Sequence, residues 1–304
     1  MLNPAQQRVI DDLFSFDQPR PSFSNALEDG LAPLADRLDP LPLVIRKGTL
    51  ARIHQCETHY QAEENERFRW NVASSRGTIA HRAIELSAFR KDGAAPLDLV
   101  DDVIERFSES GDDWTPRDFL RSAMPNELAE LRSEASDIVT AFEATFPPLR
   151  PNWRPRLESS CRVELCADRV VLRAKVDLAL GQPSGDQARV LIVDFKTGKA
   201  HSTHLEDLRF YALVETLRSG VPPFRVASYY LESARWKAED ITEELLVGAV
   251  RRVIGGATKL TDLLLGERQP TLTPGPACSY CPLKAECPGA LEWAEHRESL
   301  GVDA

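Results

Sequence analysis

"ARVLIVDFKTG", residues 188–198, decides the fold. The apolar, β-branched run Val190–Val193 predicts a buried strand that ends in a Thr-Gly turn. Residues two apart on a strand share a face. Asp194 and Lys196 therefore point one way and Phe195 the other. Just upstream, "RLESSCRVEL" (156–165) and "RVVLRAKVDLAL" (169–180) have the same character, and "CADR" and "GQPSGDQ" separate the three segments. That pattern predicts an antiparallel meander with Asp177 on the strand beside Asp194. Two carboxylates and a lysine at a sheet end suit phosphodiester hydrolysis. Hard oxygen ligands hold Mg2+ or Mn2+, the ion polarises the phosphoryl group and acidifies water, and lysine stabilises developing charge or orients that water.

Helical patterns flank this segment. "NPAQQRVIDDLF" predicts a helix opened by Asn3 and Pro4, followed by a linker, "SFDQPRPSFSN". "KGTLARIHQCETHYQAEENERFRW" (47–70) predicts one helix with Thr49 as N-cap and Cys56 within it. "SSRGTIAHRAIELSAFR" (74–90) predicts another. His81, on that helix, could add an imidazole ligand and favour Mn2+. Residues 92–148 predict a helical insert. "HLEDLRFYALVETLRSG" predicts a helix capped by Gly220, then "FRVASYYLES" a strand and 238–265 one long helix or two.

Near the C-terminus, "PACSYCPLKAECPGA" (276–290) sets Cys278, Cys281 and Cys287 in C-x2-C-x5-C spacing. Three close thiolates can hold zinc or an iron–sulfur cluster, and such sites usually take four ligands. His54 and His59 flank Cys56 and keep a zinc variant open. Cys161 and Cys166 read as ordinary strand residues. The net charge of −10 argues against a general polyanion binder but leaves room for a local basic groove. Arg67, Arg69, Arg76, Arg82, Arg90 and Lys91 cluster around the histidine helix. Arg150, Arg154 and Arg156 surround Trp153. Such groups suit phosphate contact and stacking on single strands. There is no membrane-spanning run, no signal-peptide pattern and no phosphate-binding loop. The expected location is cytoplasmic, where thiols stay reduced.

Taken in order, these segments resemble the RecB-type nucleases of the PD-(D/E)XK superfamily, in the branch with an iron–sulfur cluster that includes the AddB nuclease domain and CRISPR-associated exonucleases. "GTIAHRAIE" is similar to that family's G-x-x-x-H helix, with Gly77 and His81. Glu158 fits its upstream glutamate, "RAKVDLAL" its G-x-[IV]-D strand with Asp177, and "VDFKTG" its D-x-K core. "DLRFYALV" fits Q-x-x-x-Y, with Tyr211. The resemblance implies that His81, Asp177, Asp194 and the Phe195 carbonyl bind Mg2+ or Mn2+. It implies that Lys196 is the catalytic lysine and that Tyr211 supports the site. It also implies that Cys56 completes a 4Fe–4S site with Cys278, Cys281 and Cys287, with Zn2+ as the alternative. Three positions depart from the pattern. Asp207 stands where glutamine is usual, with Arg209 expected to offset its charge. Ala174 replaces a glycine, and Glu57 a proline.

The resulting expectation is an α/β, restriction-endonuclease-like core with a mixed central sheet flanked by helices. Residues 1–45 would be an arm and linker. Residues 46–275 would be the core, with its insert at 92–148. Residues 276–304 would be a cysteine module joined to Cys56. The expected activity is DNA exonucleolysis on single-stranded ends in repair or recombination, CRISPR adaptation or phage defence, with a helicase or CRISPR adaptation protein as partner. Arg76 and Arg82 are candidate DNA contacts beside Glu158, Asp207 and Arg209. The alternatives are a catalytically weak DNA-binding subunit and a zinc-stapled adaptor of a helicase or recombination complex.

Overall fold

In the computed structural model these segments form one six-stranded mixed sheet with a hydrophobic core on each face. The structure describes residues 2–14, 26–38, 42–66, 68–89, 93–112, 115–183, 189–199, 201 and 203–299. The "SFDQPRPSFSN" linker, Arg67, Arg90 and Lys91 lie outside them. In chain order the helices are α1 (Pro4–Leu13), α2 (Ala26–Ala35), α3 (Lys47–Gln55), α4 (Glu57–Glu64), α5 (Val72–Phe89), α6 (Pro96–Glu109), α7 (Arg117–Ser122), α8 (Pro125–Thr145), α9 (Thr203–Ser219), α10 (Glu243–Leu264) and α11 (Pro288–Ser299). The strands are β1 (Leu43–Ile45), β2 (Arg156–Leu165), β3 (Val170–Leu180), β4 (Leu191–Lys196), β5 (Arg225–Tyr230) and β6 (Arg235–Asp240). Among the described residues no helix is long and apolar enough to cross a membrane.

β3 organises the sheet. β2 runs antiparallel along one edge, from Arg156 opposite Ala179 to Leu165 opposite Val170. Two strands share the other edge. β1 pairs in parallel with residues 170–172, and β4 pairs antiparallel with residues 178–180. Because β1 and β4 run in opposite directions, their C-terminal ends point at each other. Residues 173–177 of β3 lie in the gap between them. Beyond β4 follow β5, parallel, and β6, antiparallel. Val170, Leu172, Ala174 and Val176 enter one core, whereas Leu178 and Leu180 enter the other. The alternation of β3 therefore changes face at Asp177.

Several local expectations need correcting. Residues 47–70 are not one helix. Cys56 adopts an extended conformation (φ −160°, ψ 121°) that closes α3 and opens α4. Thr49 does not cap α3, which starts at Lys47 after Arg46; Thr49 is buried within it. Ala238–Asp240 belong to β6, not to the following helix. Trp236 on β6 stacks on Tyr229 of β5, with centroids 6.1 Å apart. The Thr242 hydroxyl then accepts the Leu245 N–H at 3.3 Å, capping α10. Within residues 1–45, α1 docks through Asn3 and Gln6 onto the carbonyls of Ala144 and Glu143, and β1 joins the sheet.

Phe195, between the two polar residues of β4, anchors the strand from the opposite face. Its ring meets Phe142 and Phe146 edge-on, each at 5.3 Å, and Phe146 meets Tyr229 at 5.2 Å. Phe146 is buried, so truncation leaves a cavity under β4. In urea unfolding, Phe146→Ala is expected to lose about 3–5 kcal/mol of stability, and Phe146→Leu, closer in volume, less than about 2 kcal/mol.

Candidate active site

The gap in the sheet is filled by polar side chains from four directions. α5 is set by Asn71, whose side-chain oxygen accepts the Ser74 N–H at 2.9 Å. Ile79, Ala80, Ala83 and Ile84 bury its apolar side, and His81 is left facing β3. Gly77 permits the close approach. A Cβ there would lie 3.3 Å from the Thr197 hydroxyl, in the turn after β4.

His81 Nδ1 lies 3.5 Å from Asp177 Oδ1 and 3.8 Å from Glu158 Oε1. Glu158 lies opposite Asp177, since Leu157 pairs with Leu178 and Ser159 with Val176. Its backbone is left-handed (φ 48°), a conformation that costs a non-glycine residue about 1–3 kcal/mol. Its carboxylate also pairs with Lys175. Ligand atoms of His81, Glu158 and Asp177 all fall within 4.8 Å of one another. One imidazole and two carboxylates suit a hard divalent cation such as Mn2+ or Mg2+. Burial works against charge on His81, but Asp177 and Glu158 outweigh it and push its pKa up to about 10.

Asp194 lies outside this trio. It is almost wholly buried, with Lys47 Nζ 3.2 Å from Oδ1 and Lys196 Nζ 2.6 Å from Oδ2. Burial alone would raise its pKa; the two ammonium groups hold it below the usual carboxylate range. The backbone links the two groups, because the Phe195 N–H donates to Asp177 Oδ2 at 2.7 Å. Asp207 Oδ2 is 3.7 Å from Lys196 Nζ, and burial raises its pKa. Arg209 does not offset Asp207. It pairs with Glu206 at 2.6 Å and with Glu239 at 2.6–2.8 Å. Tyr211 is buried, with Lys47 Nζ 4.9 Å from its ring centroid.

A groove of about 1050 Å3 opens over the trio. Its basic walls come from Arg46, Lys47, Arg82, Arg106, Arg173 and Lys175, and α6 of the insert adds Phe107. Of the basic residues marked in the sequence, Arg82 alone lines it among the described residues. Arg76 pairs with Glu134 at 2.8 Å, Arg156 with Glu215 at 3.1 Å, and Arg150 covers Trp153. Arg173 and Lys175 were legible in "RAKVD", where they alternate with Asp177. Lys47 carries no such signal.

The four cysteines named above meet in a second, small cavity, together with His59, Leu272, Ala277 and Ala290. The Thr273 N–H points at Cys56 Sγ, 3.5 Å away. His59 pairs with Glu63 at 2.9 Å, and His54 turns away to the Arg252 carbonyl. Glu57, the residue after Cys56, is buried and paired with Arg268 and, at 3.3 Å, with Lys259; it also accepts the Thr271 N–H at 2.9 Å.

A family model described as the PD-(D/E)XK nuclease superfamily matches residues 48–288. Among solved structures, the chain is similar to a candidate exonuclease from Eubacterium rectale. Identity is 12%, coverage is 89% of this chain and 93% of that one, and the TM-score is 0.49. It is also similar to the protein SSO0001, with 13% identity, 88% and 98% coverage and a TM-score of 0.37. No curated protein matches the chain.

The Glu57 network yields a stability prediction. Glu57→Gln keeps the shape but removes the charge from a buried acceptor of two cations and an N–H. The loss should be about 1.5–3 kcal/mol, read as a lower urea midpoint and faster proteolysis near residues 266–273.

Proposed function

The chain belongs to the PD-(D/E)XK nuclease superfamily, and we propose that it is a divalent-metal-dependent deoxyribonuclease that degrades DNA from single-stranded ends. The observation that carries this reading is the His81–Glu158–Asp177 trio joined through the Phe195 N–H to Asp194 and Lys196, beneath a basic groove in an otherwise acidic protein.

In this reading His81, Asp177, Asp194 and the Phe195 carbonyl hold Mg2+ or Mn2+, and Glu158 steadies His81. The ion supplies Lewis acidity to the scissile phosphate and to the attacking water. Lys196 leaves Asp194 Oδ2 to donate to a phosphate oxygen or to orient the water. Tyr211 floors the site beneath Lys47. Arg173 and Lys175 follow the DNA backbone along β3, and Arg82 and Arg106 follow it along the helices. Phosphate contacts of this kind give salt-sensitive, sequence-independent binding. Phe107 offers a ring on which a base of an unpaired strand can stack. The cysteine cavity holds a 4Fe–4S cluster in the same reading, supported by the four cysteines that line it together. Binding there would tie α3 and α4 to the C-terminal segment.

Anaerobically purified protein is expected to be brown and to contain iron in excess of zinc; colourless, zinc-loaded protein overturns the cluster. With Mg2+ or Mn2+ it should release short products from end-labelled single-stranded DNA faster than from blunt duplex, and EDTA should abolish release. Asp177→Asn, which can still accept the Phe195 N–H, and Lys196→Ala should each lower the rate at least about 100-fold. Cleavage by Lys196→Ala at the wild-type rate overturns the assigned centre.

A further inference from the structure

The charges around Asp194 do not balance with the residues assigned so far. Lys196 has one ammonium and two carboxylate neighbours, Asp194 at 2.6 Å and Asp207 at 3.7 Å. The arginine nearest in sequence, Arg209, is committed to Glu206 and Glu239. A lysine held between two carboxylates is poorly placed to leave them for a phosphate.

Lys47 supplies the missing charge. It follows β1, the short strand whose C-terminal end faces that of β4 across the gap. Its side chain lies over the Tyr211 ring, reaches Asp194 Oδ1 at 3.2 Å and lines the groove. Through Asp194 and Lys196 it is joined to Asp207, which lies 3.7 Å from Lys196 Nζ. The two lysines thus take one oxygen of Asp194 each.

We propose that Lys47 is a second lysine of the active centre, a positioning residue that fixes the Asp194 carboxylate and offsets Asp207, so that Lys196 is free to face the scissile phosphate. This rests on the nuclease reading above. Lys47 acts through Asp194 and Lys196, so its loss should slow turnover more than it weakens DNA binding. A lysine that merely held DNA would do the reverse.

The experiment compares wild type, Lys47→Met, Lys47→Arg, Asp207→Asn and the double variant Lys47→Met/Asp207→Asn. It uses the full-length, metal-supplied protein on end-labelled single-stranded DNA, and thermal melts confirm folding. Lys47→Met is expected to lower kcat roughly 100-fold with KM changed less than about threefold. Lys47→Arg should recover part of the loss. Removing the Asp207 charge should restore at least about tenfold of the kcat lost in Lys47→Met, a non-additivity diagnostic of direct coupling. A raised KM with unchanged kcat overturns the proposal, and so does a double variant whose losses simply multiply. If Lys47→Met does not fold, Lys47→Arg and its double variant with Asp207→Asn carry the same test. A wild type that cleaves alongside an equally active Lys47→Met removes the role of Lys47 alone; a wild type that cleaves nothing removes the nuclease reading and this inference with it.

Discussion

Two strands cannot occupy the same stretch of one edge, and the rest of the molecule depends on how β1 and β4 divide the edge of β3. β1 takes residues 170–172 and β4 takes residues 178–180, so the backbone between them lacks a ladder partner on that side. Unpaired backbone in a core is costly. Here polar side chains fill the opening, and the Asp177 carboxylate accepts the N–H of Phe195 as β4 leaves β3. The polar groups of the candidate site are therefore tied to the opening that the strand ends create. The change of face at Asp177 and the left-handed backbone of Glu158 belong to the same irregularity.

Electrostatics follow from that geometry. Asp194 is buried at 1% exposure, and an isolated carboxylate so deep would cost several kcal/mol or take up a proton. Lysines from two separate elements keep it charged. His81 meets the complementary situation, facing the carboxylates of Asp177 and Glu158. The aromatic rings around Phe195 pack the opposite face of β4.

Much of this was legible in the sequence. "LIVDFK" and "RAKVDLAL" carry strand alternation with acids at set positions, and the order of helix, strands and helix is readable from apolar period. The unread parts are long-range or backbone-level. Nothing local to Lys47 says that a three-residue strand aims it at Asp194. The helix pattern runs through Cys56 without a Gly or Pro to mark the break. Arg209, two positions from Asp207, looks like its partner, yet on a helix such neighbours do not face each other. The basic residues nearest the histidine motif were the natural choice for a DNA path, but Arg76 lies against α8. The groove instead recruits cations from β3 and the insert.

The cysteine cavity also has a history in time. Cys56 Sγ faces the carbonyl of Thr271, 215 residues later in the chain. At ordinary translation rates that interval lasts on the order of ten to forty seconds. All six strands of the described residues lie before residue 241, and α10, which supplies Leu246, Val250 and Val253 to the core on one face of the sheet, follows them. The Cys56 thiol therefore waits for the other wall of its cavity, Cys278, Cys281 and Cys287, until the last part of the chain has been made.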